Sequence, residues 1–305
     1  MRTFSFENKA QTIKCYAWDN VERPLGIIQI AHDECDYSLR YQEFADFFNK
    51  RGYIVVSQDL RGFGDSSNGF EHRGEFYGDV FQYSVDDMIL LTNLAIAYYK
   101  LPVILLGVGY GSILAQSYSW TRGDLLAGLI LVSTAYMRHS KVLLLGSIAG
   151  IMSGFIEPQA PASLIEKMKF KMHSKPFEHE KTRYSYITRD KEEVKKFTKD
   201  TNCAAQSILS INFYKSFYNY SYWMYTARRI RNIPQKLPIL LLSGSDDYYG
   251  YTFKGATYLY NKLVKYDRKN VLLNIYPKAR HDLFHEINKQ EVFEDIAIFV
   301  DKILK

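Results

Sequence analysis

The chain has 305 residues and a formal net charge of +6, from 39 Lys and Arg against 33 Asp and Glu; 47% of its residues are hydrophobic. That composition supplies a sizeable core, and the length fits one large domain or one domain with an insertion. So mild a positive balance, with no basic stripe, excludes nucleic acid as an expected partner. Three cysteines (Cys15, Cys35 and Cys203) without C-x-x-C spacing exclude a disulfide framework and a zinc site.

No apolar stretch follows Arg2, so no secretory leader is expected. Residues 10–16 and 25–31 read as strands. Residues 40–51 place Tyr41, Phe44, Ala45, Phe47 and Phe48 at helical spacing, and Gly52 stops that helix. A short β-branched strand at 53–57 leads into a glycine-bearing loop, Asp59-Leu60-Arg61-Gly62-Phe63-Gly64-Asp65-Ser66. Residues 83–99 predict a second amphipathic helix, opened by Ser84-Val85-Asp86-Asp87 as a capping box with Asp in place of Glu. Strands follow at 102–106 and 129–132, with a helix between them.

Strand–helix alternation predicts an α/β fold with a mostly parallel, doubly wound sheet. The alternation stops near residue 135. Residues 136–235 read as a helical cap, or lid, inserted into a core of residues 1–135 and 236–305. Strands resume at 237–242 and 271–276, and a helix at 293–304 closes the chain. A cap so placed covers the carboxyl ends of the strands, where open α/β sheets bind ligands. Within it, residues 142–156 form the longest apolar run, short of the roughly 20 residues a membrane-spanning helix needs. The run is expected to be a buried or pocket-lining helix, with a membrane-docking surface as the alternative. The expected location is cytoplasmic.

The chemistry centres on Gly107-Val108-Gly109-Tyr110-Gly111, between the 102–106 strand and the following helix. A strand, a tight glycine turn and a helix are the setting of a G-x-S-x-G nucleophile elbow, whose serine sits at the tip of a strained turn. Here the central residue is Gly109. Asp247 follows the 237–242 strand and His281 follows the 271–276 strand. A nucleophile, then a carboxylate, then a histidine is the chain order of a hydrolase triad on such a sheet, in which the base takes the nucleophile's proton and the carboxylate orients the base.

These pieces resemble the monoacylglycerol lipase and bacterial lysophospholipase branch of the α/β-hydrolases, often grouped with serine aminopeptidase-like hydrolases. Residues 59–66 resemble that family's D-x-R-G-x-G-x-S loop, and Ser38-Leu39-Arg40-Tyr41 its S-x-R-Y helix start. Residues 276–283 resemble Y-P-G-A-R-H-E-L, and Gly244-Ser245-Asp246-Asp247 matches G-x-x-D. Thr188-Arg189-Asp190, Val194, Phe197, Asp200 and Cys203 follow the run T-R-D-x-x-x-V-x-x-Y-x-x-D-x-x-C. The resemblance implies that His281 is the base and Asp247 its orienting carboxylate. It implies oxyanion-hole amides at Glu34 and Tyr110, and a ligand that is a small ester or lipid-like molecule. No metal and no cofactor are implied.

The chain departs from the family at three places. Gly109 stands where the serine belongs, and Val108 where the family usually has His. The oxyanion loop reads His32-Asp33-Glu34 in place of H-G-x. A glycine cannot attack a carbonyl, and carboxylates near the hole oppose a negative transition state. The expectation is a pseudoenzyme that keeps a capped pocket with Asp33, Val108, Tyr222 and Trp223 as candidate lining residues. The alternative is an active carboxylic-ester hydrolase, either a nucleophile variant or one using a water activated by His281 with Asp33 or Glu34. The cap's aromatic run at 213–225 suits an amphipathic ligand, and peripheral membrane contact through the cap is expected.

Overall fold

A computed structural model describes residues 1–67, 69, 72–134, 139–180, 182–203, 208–249 and 253–305. Its strands are β1 (Arg2–Asn8), β2 (Gln11–Trp18), β3 (Gly26–Ala31), β4 (Tyr53–Gln58), β5 (Val103–Val108), β6 (Leu126–Val132), β7 (Ile239–Gly244) and β8 (Val271–Tyr276). They form one sheet in the order β1-β2-β4-β3-β5-β6-β7-β8. The β1–β2 and β2–β4 pairs are antiparallel, and all pairs from β4 to β8 are parallel. The doubly wound α/β sheet expected from the sequence is therefore present. The helices of the core are α1 (Gln42–Asn49), α2 (Val80–Tyr99) and α3 (Tyr110–Arg122). Between β6 and β7 lie α4 (His139–Phe155), α5 (Ser163–Ser174), α6 (Lys191–Lys199), α7 (Ile211–Trp223) and α8 (Ala227–Asn232); α9 (Phe253–Lys265) and α10 (Lys289–Leu304) follow.

Alternation along the central strands splits the core in two. Ile27, Leu105, Leu129 and Leu241 face one layer with α2 and α3; Ile28, Ile104, Ile130 and Leu240 face the other with α1 and α10. Strands buried on both faces are continuous apolar runs, as a covered parallel sheet requires. Gln29 interrupts that run but is satisfied. It donates to Met88 O at 2.9 Å and accepts from the Thr92 hydroxyl at 2.6 Å.

Three details differ from the sequence reading. β1 has no counterpart in it. The strand lies at the sheet edge, and its half-exposed pattern gives little hydrophobic contrast. α2 begins at Val80, capped by Asp79, which accepts from the Gln82 amide. Ser84 therefore lies inside the helix and bonds Val80 O at 2.8 Å instead of capping. The third difference is partial: the 142–156 run is α4, which lines a groove through Val142, Leu143 and Gly146 as expected, but leaves Leu144, Ile151, Phe155 and Ile156 exposed. The expected junction between core and cap at 135/136 lies outside the described residues.

Candidate functional site

The loops after β3, β5, β7 and β8 bring Asp33, Gly109, Asp247 and His281 to the carboxyl edge of the sheet. Gly109 ends β5 and caps α3 with φ +51° and ψ −115°, a backbone that costs glycine little and other residues roughly 1–3 kcal/mol. Gly111, two residues on, lets α3 lie against the main chain of Ala31 and His32; a Cβ there would overlap their carbonyls. The turn has the geometry of a nucleophile elbow with no side chain at its tip.

Asp247 is fully buried, and its Oδ1 lies 2.9 Å from His281 Nδ1. The other ring nitrogen, Nε2, lies 2.8 Å from Asp33 Oδ2. The second oxygen of Asp33, Oδ1, accepts from the Tyr110 amide at 2.6 Å and the Glu34 amide at 2.7 Å. These are the two donors expected to form an oxyanion hole. A Cβ built on Gly109 would overlap the carboxyl group of Asp33. One carboxylate thus fills three places together: the missing side chain, the hole, and the partner of the base. The amino end of α3 adds its dipole to the same site and favours an anion there.

His32 fixes the loop that delivers this group. Its Nε2 accepts from the Leu60 amide at 2.7 Å, so Nδ1 carries the proton and donates to Asp33 O at 2.7 Å. His281 is enclosed and packs on the Tyr249 ring at 4.5 Å. Burial alone would lower its pKa, but Asp247 and Asp33 raise it well above 6.5, so the imidazole is a cation between two carboxylates.

Glu34 also lines the cavity and ion-pairs with Lys169 of α5, whose Nζ lies 3.7 Å from Glu166 and 3.1 Å from the Tyr214 hydroxyl. Burial opposes the charge on Lys169, but Glu166 and Glu34 hold it protonated. Asp36 is paired with Arg40 at 3.2 Å and with the Tyr41 hydroxyl at 3.0 Å. Of the three acidic residues in this loop, only Asp33 lies in the hole. Cys35 shares the cavity, but burial and then Glu34 push its thiol well above its ordinary value. Ser112 is committed to Gly109 O at 2.6 Å.

A cavity of about 200 Å³ opens above the site, lined by Asp33, Glu34, Val108, Lys169, Tyr186 and His281 among others. Of the four candidate lining residues, Asp33 and Val108 line this cavity. Tyr222 and Trp223 do not. They line a separate groove of about 810 Å³ between α4 and α7, because α7 turns its carboxyl-terminal aromatics away from His281. Lys169 carried no signal in the sequence, since it reads as one more charge on a polar helix. Among the described residues, no group of three or more His, Cys, Asp and Glu is placed to hold a metal ion.

The motif residues form the scaffold around this site. Asp59 accepts from the Ser38 and Asp65 amides at 2.7 and 2.8 Å, and Arg61 makes two bonds of 2.9 Å to buried Asp87. The 188–203 run docks on the histidine loop. The Asp282 amide donates to Ile187 O at 2.7 Å, and Arg189 pairs with Glu286 at 2.9 Å.

A family model described as serine aminopeptidase, S33, matches residues 22–288. The chain is 25% identical over 296 residues to a monoglyceride lipase homolog of monkeypox virus, covering 94% of each chain. It is 26% identical over 296 residues to the human monoglyceride lipase, covering 96% of this chain and 88% of that one. Its fold is similar to that of a thermostable carboxyl esterase from Bacillus coagulans in complex with glycerol, with a TM-score of 0.93, 24% identity, and coverage of 100% and 99% of the two chains.

Proposed function

We propose, from the premise that this chain belongs to the serine aminopeptidase S33 family in the monoglyceride lipase branch of the α/β-hydrolases, that it has no ordinary serine-hydrolase activity and keeps a capped pocket for a small ester or lipid-like ligand. The observation that carries this reading is the Asp33 carboxylate. It occupies the space of a side chain at 109, takes both hole amides and holds His281 as an ion pair. Every component of acyl transfer is therefore absent or engaged. An ester carbonyl attacked by a water on His281 would develop its charge where Asp33 Oδ1 already lies, which weighs against the ester-hydrolase alternative.

The cavity is smaller than the roughly 300–1,000 Å³ of most ligand pockets. Val108, Ile187, Phe197 and Phe170 give it apolar wall, while Lys169 and four tyrosines give it polar atoms, which suits a short amphipathic ligand. The exposed apolar face of α4 supports peripheral membrane contact through the cap. Three free thiols fit a cytoplasmic, reducing location.

The test is hydrolysis of p-nitrophenyl butyrate and a short monoacylglycerol, together with labelling by a fluorophosphonate. The unmodified chain is expected to turn over neither and to remain unlabelled. Clear turnover that His281→Ala abolishes would overturn the reading.

A further inference from the structure

We propose that Asp33 is itself a nucleophile, and that this site opens small neutral epoxides by way of a covalent Asp33 ester. The proposal shares with the reading above the loss of serine chemistry and is independent of which ligand the pocket prefers. It starts from how the carboxylate is held. Oδ1 is fixed by two amides, and Oδ2 faces the cavity with one hydrogen bond, to His281. A carboxylate oxygen has two lone pairs, so one on Oδ2 remains available to a reacting carbon. Carboxylates serve as covalent nucleophiles when placed in this way beside a base.

The filled hole selects the substrate class. Attack on an ester carbonyl needs an empty hole for the new oxyanion, and Oδ1 occupies it. Attack on a saturated carbon develops no charge on a carbonyl oxygen and needs no hole in its first step. The second step does need one. Hydrolysis of an Asp33 ester places negative charge on Oδ1, which already sits on the Tyr110 and Glu34 amides. The hole then serves the enzyme's own carboxyl group.

Proton bookkeeping favours oxygen as the leaving atom. In the first step Oδ2 bonds to a ring carbon, the ring C–O bond breaks, and the ring oxygen takes the Nε2 proton of His281. Esterification removes the Asp33 charge, one of the two that keep His281 protonated, so the imidazole becomes a neutral base. In the second step water attacks Cγ and gives one proton to His281. The tetrahedral centre then collapses, the bond from Cγ to the alkoxide oxygen breaks, and the alkoxide takes the other water proton. The products are a vicinal diol, an Asp33 carboxylate carrying one oxygen from water, and a protonated His281, which is the starting state. Tyr186 and Tyr249 line the cavity, and their hydroxyls make no hydrogen bond among the described residues, leaving them able to hold the ring oxygen.

The experiment is a single turnover of butylene oxide by excess unmodified protein in water enriched in heavy oxygen, read by peptide mass spectrometry. The expected result is label in the peptide that carries Asp33. His281→Gln is expected to accumulate a hydroxybutyl ester on Asp33, and Asp33→Asn to lose both label and diol. Diol formed without label in Asp33 would mean direct attack by water and would overturn the proposal. So would the absence of both diol and adduct, or an adduct confined to cysteine. In those cases the absence of serine-ester hydrolysis still stands on its own assay.

Discussion

Gly109 and Asp33 are complementary exchanges: a side chain is lost at the tip of the elbow, and one is gained in the loop that faces it. Restoring the serine alone is therefore expected to fail. In Gly109→Ser the new Cβ meets the Asp33 carboxyl group, and the hole amides stay occupied. The double variant Gly109→Ser with Asp33→Gly clears the space, frees both amides and leaves Asp247–His281 in place. It alone is expected to hydrolyse p-nitrophenyl butyrate and to take the fluorophosphonate. Restored activity in the single variant would show that the Asp33 side chain yields easily. Both departures are visible in the sequence, as are the places of Asp247 and His281 at strand ends. That Asp33 fills the gap left at Gly109 is not, because the contact joins residues 76 apart in the chain.

The imidazole of His281 reports on the same pair. Replacing Asp33 by Asn removes one of the charges that raise its pKa, so its titration midpoint is expected to fall. The sign for stability follows from linkage. A group whose pKa is raised on folding contributes stability in full below its unfolded value, near 6.5, and loses it as pH rises through the folded value. Asp33→Asn should thus cost most below pH 6.5 and less in alkali. An NMR titration of the ring and urea unfolding at several pH values measure both effects. An unchanged midpoint would rule out the ion pair.

Lys169 acts at the scale of elements, joining α5 to the loop after β3 through Glu34 and to α7 through Tyr214. Removing one member of a buried charged group costs about 3–5 kcal/mol, because the partners remain buried without compensation. Lys169→Met is expected to destabilise by that order in urea unfolding, and adding Glu34→Gln and Glu166→Gln should recover a large part. If Lys169→Met alone costs nothing, the helix is not held by this charge. Amphipathic periodicity revealed α1, and apolar runs revealed the central strands such as β5. It did not reveal the clamp. Lys, Glu and Tyr at 169, 166 and 214 are ordinary surface residues until tertiary packing encloses them.

At the scale of the molecule, the sheet presents its chemistry at one edge, and the helices between β6 and β7 carry an apolar outer face. Leu143, Leu144, Ile151, Phe155 and Ile156 of α4 and the turn after it are exposed, with Leu164 and Trp223 also open to solvent. Among the described residues no helix is long and apolar enough to cross a membrane, so contact with a bilayer through α4 would be interfacial. The net charge of +6 favours anionic lipid. Burying a large apolar side chain contributes about 1.5–3 kcal/mol. Ile151→Glu with Phe155→Glu forfeits two such terms, so partition onto vesicles rich in phosphatidylglycerol is expected to drop by about a hundredfold or more. The loss should persist in high salt, which weakens the electrostatic part but leaves apolar insertion. Co-sedimentation measures it directly. If the double variant binds as well as the unmodified chain, α4 is not the docking face.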